Sequence, residues 1–271
     1  MNNTQPLESV SVIFIHEQQI FAVQRQPYLH AFPGYHAFPG GKIDNDEAST
    51  PFETEFLCEH NTLRMRALRR EIIEELGYDL EEGINKGEVL SVNELAEALA
   101  PPFAPVRFRT WFYRVDLSKR VKFEVDSGEF ADSFWKTSAE LLETFRTGKS
   151  LMVPPTRWVL EGLQKKPQAT AFGDLSQNFA EDDRVPCLEM IEGVPQLAVR
   201  SATLPPASRT NSFMLGDLDA PKLLVDPSPN STEEYQRLLN TIQDKKLDAI
   251  FLTHHHPDHH QFSNQLARQL K

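Results

Sequence analysis

The chain opens on two apolar, β-rich runs separated by a short polar turn. Residues 9–24 read Ser-Val-Ser-Val-Ile-Phe-Ile-His, then Glu-Gln-Gln, then Ile-Phe-Ala-Val-Gln, which predicts a hairpin. Pro33-Gly34 and Pro39-Gly40-Gly41 then punctuate a loop. A helix is expected over 62–78, because Met65, Leu68, Ile72 and Leu76 recur at helical spacing and Gly77 supplies a stop. The aromatic run 107–115 reads as a strand, 122–125 as a shorter one, and 138–147 and 156–163 as helices. From 165 to 184 the apolar rhythm fades, which predicts a linker between a domain at 8–164 and a second at 185–271. Past the linker, 188–199, 211–215 and 223–225 read as strands, 232–243 as an amphipathic helix and 247–252 as a buried strand. The fold class expected is α/β.

Composition bounds what such a chain can do. Its 271 residues suit two domains, and 40% apolar residues with 18 Phe can fill at least one core. Lys and Arg number 28 against 39 Asp and Glu, a net charge of -11. That surplus argues against nucleic acid or an anionic membrane as partner, since both attract positive charge. No apolar run is long enough for a membrane helix. The opening Met1-Asn-Asn-Thr-Gln-Pro lacks the character of a signal peptide. Two cysteines, Cys58 and Cys187, fit a reducing cytoplasm rather than a disulfide scaffold.

The run Arg70-Glu-Ile-Ile-Glu-Glu-Leu-Gly77 carries the most chemistry. At about 100° per residue, Glu71, Glu74 and Glu75 fall within roughly a third of the helix circumference. Carboxylates that close disfavour mutual ionisation unless a cation sits among them, and oxygen donors suit Mg2+ or Mn2+. Arg70 is placed to orient one carboxylate. A solvated acidic face is the bland alternative.

Upstream, Gly41 is followed after five residues by Glu47, and the set Gly41, Glu47, Arg70, Glu71, Ile72, Glu74, Glu75 and Gly77 resembles the signature of Nudix hydrolases. The resemblance implies a Nudix α/β/α sandwich that hydrolyses a nucleoside diphosphate derivative. Under it Glu71 and Glu75 are metal ligands, Glu74 assists, and Gly40 or Gly41 offers a carbonyl. Arg70, Glu71 and Glu74 serve catalysis, with Glu129 as a further acid on a late loop. Two departures stand out: 22 residues separate Glu47 from Arg70 instead of seven, and Tyr78 replaces an aliphatic residue. The insertion leaves the role of Glu47 open.

The segment 25–41, with Arg25, Leu29, Gly34 and Phe38-Pro-Gly-Gly41, is similar to the motif of coenzyme A diphosphatases. Gln26, His30 and Phe32 replace the Ser, Arg and His of that motif. Coenzyme A or an acyl derivative is the leading substrate class by this resemblance, ahead of ADP-ribose, a nucleotide sugar or a dinucleotide. Arg25, Gly40, Arg107 and Arg109 are the candidate substrate contacts.

Near the C-terminus, His254-His-His256-Pro-Asp258-His259 has a His-any-His-any-Asp-His spacing that resembles the metallo-β-lactamase superfamily. The resemblance implies Zn2+, with His254 and His256 on one ion and Asp258 and His259 on the other, provided further ligands exist. Residues 185–271 correspond to the first part of that αββα fold, so a fragment of a longer bifunctional protein is expected. A divalent-metal diphosphohydrolase is the leading function. The alternatives are a zinc hydrolase acting on thioesters, whose Nudix part only binds ligand, and a nucleotide-sensing module without catalysis.

Overall fold

The computed structural model describes residues 5–270 apart from 45–46, 48–53, 55–56, 58, 105, 177–182 and 217–219. Cys58, part of the insertion and residues 177–182 of the expected linker therefore lie outside the described residues. The chain divides into two compact units, 1–177 and 178–271. Among the described residues no helix is long and apolar enough to cross a membrane.

In the first unit the expected hairpin forms from β1 (Leu7–His16) and β2 (Gln19–Arg25). Further strands are β3 (His36–Ala37), β4 (Val89–Leu99), β5 (Phe108–Leu117), β6 (Phe130–Thr137) and β7 (Gly173–Asp174). The strand order is β3-β2-β1-β5-β4-β7, with β6 on β2, in one seven-stranded mixed sheet. β1 pairs with β5 in parallel and with β2 in antiparallel fashion.

Alternation along β1 sends its side chains to two separate cores. Val10, Val12 and Phe14 join Met65, Leu68, Ile72 and Leu76 of α1 (Thr62–Leu76). Ile13 and Ile15 join Leu141, Leu142, Phe145, Val159 and Leu160 of α3 (Ser138–Arg146) and α4 (Pro154–Lys165). A short α2 (Leu80–Asn85) follows α1. Helices thus cover both faces of the sheet, which is the α/β layering expected.

Three expectations change in this unit. Residues 122–125 form no strand. Their backbone instead docks on the end of α1, where Glu124 N donates to Leu76 O (2.9 Å) and Asp126 N to Glu75 O (2.8 Å). The strands β4 and β6 arise where no element was expected. Part of the expected linker belongs to this unit: β7 extends the sheet, and Phe172 and Leu175 pack on the second core. The buried Arg114 fastens that segment, donating to Pro167 O (2.7 Å) and Ala169 O (2.8 Å).

The second unit holds a five-stranded sheet ordered β12-β11-β10-β9-β8. Its strands are β8 (Cys187–Glu189), β9 (Pro195–Arg200), β10 (Arg209–Leu215), β11 (Leu223–Val225) and β12 (Ala249–Phe251). The single strand expected over 188–199 is a hairpin, turned at Gly193 with φ 73°. Helix α5 (Thr232–Ile242) lays Tyr235, Leu238, Leu239 and Ile242 over Leu197, Val199 and Leu224. The strand expected to be buried at 247–252 is an exposed edge strand. It pairs only with β11 among the described residues, and Phe251 is 55% exposed. Helices α6 (Pro257–His260) and α7 (Ser263–Gln269) follow.

Candidate functional site

The acidic residues of the first unit sit where they do because α1 is fixed at both ends and along one side. Asn61 caps its start, accepting from Arg64 N at 3.2 Å, and Gly77 ends it in the left-handed conformation with φ 60°. Burial of Met65, Leu68, Ile72 and Leu76 then sets the rotation of the helix, and it carries Glu75 inward to 4% exposure. A buried carboxylate needs partners. Glu75 finds one in the backbone of the glycine turn, where Gly40 N donates to its Oε2 at 2.7 Å.

That turn tolerates no side chain. Gly40 has φ 142°, and a Cβ there would collide with the carbonyl of Val10. A Cβ at Gly41 would overlap the Glu71 carboxylate. Glycine therefore lets the turn close against the helix. The Gly41 carbonyl accepts from Val10 N at 2.9 Å, so this turn runs as a strand-like segment beside β1.

Arg70 organises the neighbouring carboxylates. Its guanidinium donates to Glu47 (2.8 Å), Glu71 (2.8 Å), Glu74 (3.2 Å) and the Lys42 carbonyl (2.9 Å). Glu47, whose role the insertion left open, is thereby tied to Arg70. The Glu47 hydrogen bond is the largest influence holding the Arg70 guanidinium above its ordinary pKa. Burial raises the pKa of Glu71, the Arg70 contact lowers it, and the charges of Glu74 and Glu129 raise it further. Glu75 is pushed up to about 9, first by burial and then by Glu71 and Glu129, against the Gly40 hydrogen bond and the charge of Arg25. Arg70, Glu71, Glu74 and Gly41 thus meet in one cluster beside Glu75 and Gly40, and the charges of Glu129 and Arg25 reach it.

Arg107 and Arg109 have other partners. Arg107 donates to Ala100 O at 3.3 Å, while Arg109 lies 3.6 Å from Glu8 and 3.9 Å from Glu97 on the sheet surface. Alternation on β5 places Arg109 with Trp111 and Tyr113, and Trp111 Nε1 donates to Glu8 at 2.7 Å. Arg64 stacks on that indole, 3.2 Å from the ring centroid.

In the second unit the histidines follow the exposed β12. The His254 ring lies 3.9 Å from that of His259 and 4.7 Å from that of His256, centroid to centroid. His259 Nδ1 is 2.9 Å from Asp226 Oδ2, and its Nε2 is 3.7 Å from Asp258. Asp226, which the sequence reading did not single out, is the anchor. It is 4% exposed with φ 47°, and it accepts from Thr253 N (2.8 Å) and Thr253 Oγ1 (2.6 Å) as well as facing His259. Burial raises its pKa, but the hydrogen bonds from Thr253 and His259 outweigh that and hold it below the ordinary value. The available signal was its place at the end of the apolar run Leu223-Leu-Val, where a short polar side chain can turn back on the backbone. Among the described residues, no three His, Cys, Asp or Glu side chains are disposed to hold a metal ion in either unit.

Residues 205–260 match the model of the Metallo-beta-lactamase superfamily. Among solved structures, the chain is similar to a NUDIX hydrolase from Alicyclobacillus acidocaldarius at 19% identity, with 61% of this chain and 94% of that chain covered and a TM-score of 0.49. A MutT NUDIX hydrolase from Burkholderia pseudomallei matches at 19% identity over 58% of this chain and 97% of its own, TM-score 0.39. The NUDIX domain of Shewanella oneidensis NrtR, complexed with ADP ribose, matches at 15% over 61% and 90%, TM-score 0.43. The chain resembles both families. No match was found among curated proteins.

Proposed function

We propose that the first unit is a divalent-metal-dependent diphosphohydrolase of the Nudix type, cleaving the pyrophosphate of a nucleoside diphosphate derivative. The observation that carries this reading is the approach of two carboxylates to one glycine turn: Glu75, 4% exposed, accepts from Gly40 N, and Glu71 lies against Gly41. A buried group of like charges is costly unless a cation shares it. The donor set fits Mg2+ or Mn2+, since all its side chains are hard oxygen ligands. Glu71 and Glu75 would hold the ion, with Glu74 and the Gly41 carbonyl completing its surroundings. When bound, it neutralises phosphate oxygens and eases deprotonation of water.

The chain's own residues supply the rest. Arg70 fixes Glu71 and Glu74 through charge-assisted hydrogen bonds, so neither must be ordered when substrate arrives. Arg25, whose charge already bears on Glu75, meets the phosphates. Water adds to one phosphorus, the bridging P–O bond breaks, and the released phosphate takes the electron pair. Glu129 takes the proton of the attacking water.

Coenzyme A or an acyl derivative is the leading substrate class, supported by the run from Arg25 to Phe38-Pro-Gly-Gly41. Arg107 and Arg109 carry no part of this reading; Arg107 donates to Ala100 O, and Arg109 lies near Glu8 and Glu97. A second reading, zinc hydrolysis at His254, His256, Asp258 and His259, is favoured by the close approach of three rings. It stands second because His254 and His256 are exposed.

Hydrolysis of a panel tests both: coenzyme A, acetyl-coenzyme A, ADP-ribose, UDP-glucose and a diadenosine polyphosphate, with Mg2+ or Mn2+ and with EDTA. EDTA-sensitive release of phosphopantetheine from coenzyme A is the expected result. Silence across the panel, with Zn2+ retained by the protein, would sink the first reading and favour the second.

A further inference from the structure

Residues 118–129 join β5 to β6 and carry Glu129. They form neither helix nor strand, yet the part near Glu129 is fastened on two sides. On one side Glu124 N and Asp126 N donate to the carbonyls of Leu76 and Glu75, groups that the last turn of a helix leaves open. Phe123 and Val125 pack on the first core beside them. Asp126 then turns the chain: its Oδ1 accepts from Gly128 N and its carbonyl from Phe130 N, each at 3.0 Å. Glu129 thereby follows directly from a segment docked on the turn of α1 that bears Glu75.

On the other side Gln26 does the holding. Its backbone N donates to Glu129 O at 2.8 Å, and its side-chain Nε2 to Ser127 O (2.8 Å) and Phe130 O (3.2 Å). Arg25, one residue earlier, pairs with Phe130 across β2 and β6. The side chain needed here is specific. A carboxamide carries two N–H donors at the end of a long arm, one for each carbonyl, whereas the serine of the coenzyme A diphosphatase motif has one hydroxyl proton on a short arm. The departure from that motif at residue 26 therefore has a use: it ties Arg25 and the Glu129 turn into one piece. The charges of Arg25 and Glu129 act on Glu75 in opposite senses, so their relative placement sets the field at that carboxylate.

We propose that Gln26 is a positioning residue: its side-chain amide fixes the turn that carries Glu129 to the strand end that carries Arg25, so that Glu129 is held in place when the attacking water arrives. This rests on the diphosphohydrolase reading, in which Glu129 takes the proton of that water. A base must stay within hydrogen-bond reach of the proton it takes, and a shift of about an ångström in such a group costs on the order of a hundredfold. The two amide hydrogen bonds of Gln26 restrict that shift, and Gln26 acts only through Glu129.

A double-mutant cycle on the full chain tests it, by steady-state kinetics with Mg2+ on the panel substrate that wild type turns over fastest. Gln26→Ala is expected to lower kcat about tenfold with KM within about twofold, because only part of the general-base contribution is lost. Gln26→Glu, which keeps the length but offers no donor when ionised, is expected to lose at least as much. In a Glu129→Gln background, Gln26→Ala is expected to change kcat by less than about twofold, since the group it positions is already gone. A purely structural Gln26 would instead cost the same factor in both backgrounds, and that result overturns the proposal. So does a wild-type kcat in Gln26→Ala or in Glu129→Gln; either leaves the diphosphohydrolase reading standing. If wild type turns over no member of the panel with Mg2+ or Mn2+, that reading fails and takes the positioning role with it.

Discussion

The carboxylates of the first unit and the histidines of the second are both clusters of side-chain types that can bind metals, yet they are built in different ways. Glu75 is carried inward by a four-turn helix packed on a sheet, and a glycine turn closes on it from the other side. His254 and His256 stand exposed after a three-residue edge strand, and Asp226 ties that segment to its neighbours through Thr253 and His259. One site is shaped by two hydrophobic cores, the other by a few hydrogen bonds. Preorganisation of the first kind is what phosphoryl chemistry needs, because charge must meet charge without rearrangement. A cluster held mainly by one carboxylate should be easier to disperse.

The largest expected effect comes from removing the innermost charge. Glu75→Gln should lower turnover on the best substrate of the panel by on the order of a thousandfold. It should leave melting temperature unchanged or slightly raised, since burial and like charges already disfavour the ionised Glu75. Steady-state kinetics beside differential scanning calorimetry would check both. Marked unfolding would mean that Glu75 serves structure instead.

Next is the turn itself. Gly41→Ala puts a Cβ into the Glu71 carboxylate, which must then move away from its place by Arg70. A displacement of about an ångström costs roughly a hundredfold in rate, so kcat should fall by that order with Arg70 and Glu74 still present. Rates equal to wild type would show that Glu71 need not stay in this position.

How much of this was legible beforehand depended on whether a residue's partners lie close in sequence. α1 and its acidic residues were readable, because helical spacing and the Gly77 stop are local signals. β4 was not. Its Leu, Glu and Ala residues favour helix, and register breaks at Val89/Ser91 and Glu94/Ala96 spoil the alternation that marks a strand. It is a strand because β5 and β7 flank it. The pairing of Glu47 with Arg70 spans 22 intervening residues, and the hold of Asp226 on His259 spans 32, so neither distance could be read from spacing. The exposed β12 misled for a related reason: an apolar run says that a strand exists, not whether anything covers it.

The second unit offers the converse test. Asp226→Asn keeps the shape of the side chain but removes the charge that faces Thr253 and His259. Hydrogen bonds to a charged group contribute about 1.5–3 kcal/mol, so the unit should lose stability of that order. Histidine NMR resonances should shift together, since one carboxylate holds the segment. Diphosphohydrolase turnover should stay at the wild-type value. A fall in turnover would couple the two sites and contradict their separate construction.

The finest contrast lies between histidines. His36, on β3, is 8% exposed, and its Nδ1 is buried with no hydrogen-bond partner among the described residues. Burial lowers its pKa to about 4, helped by the charge of Lys136 and opposed by that of Asp132. In the unfolded chain the ring takes its proton near pH 6.5. Above that value neither state is protonated at this site and His36 costs nothing. As pH falls from about 6.5 towards 4, the unfolded chain binds a proton that the native state refuses, so stability drops across that window. Below about 4 both states are protonated and the slope from this residue ends. The exposed His254 and His256 lack such burial and serve as the comparison. Denaturant melts of wild type and His36→Gln between pH 4 and 7 separate the two groups. The variant should lose most of the acid-side slope, whereas a variant of His254 and His256 should keep it; the reverse pattern would place the pH dependence in the histidine cluster.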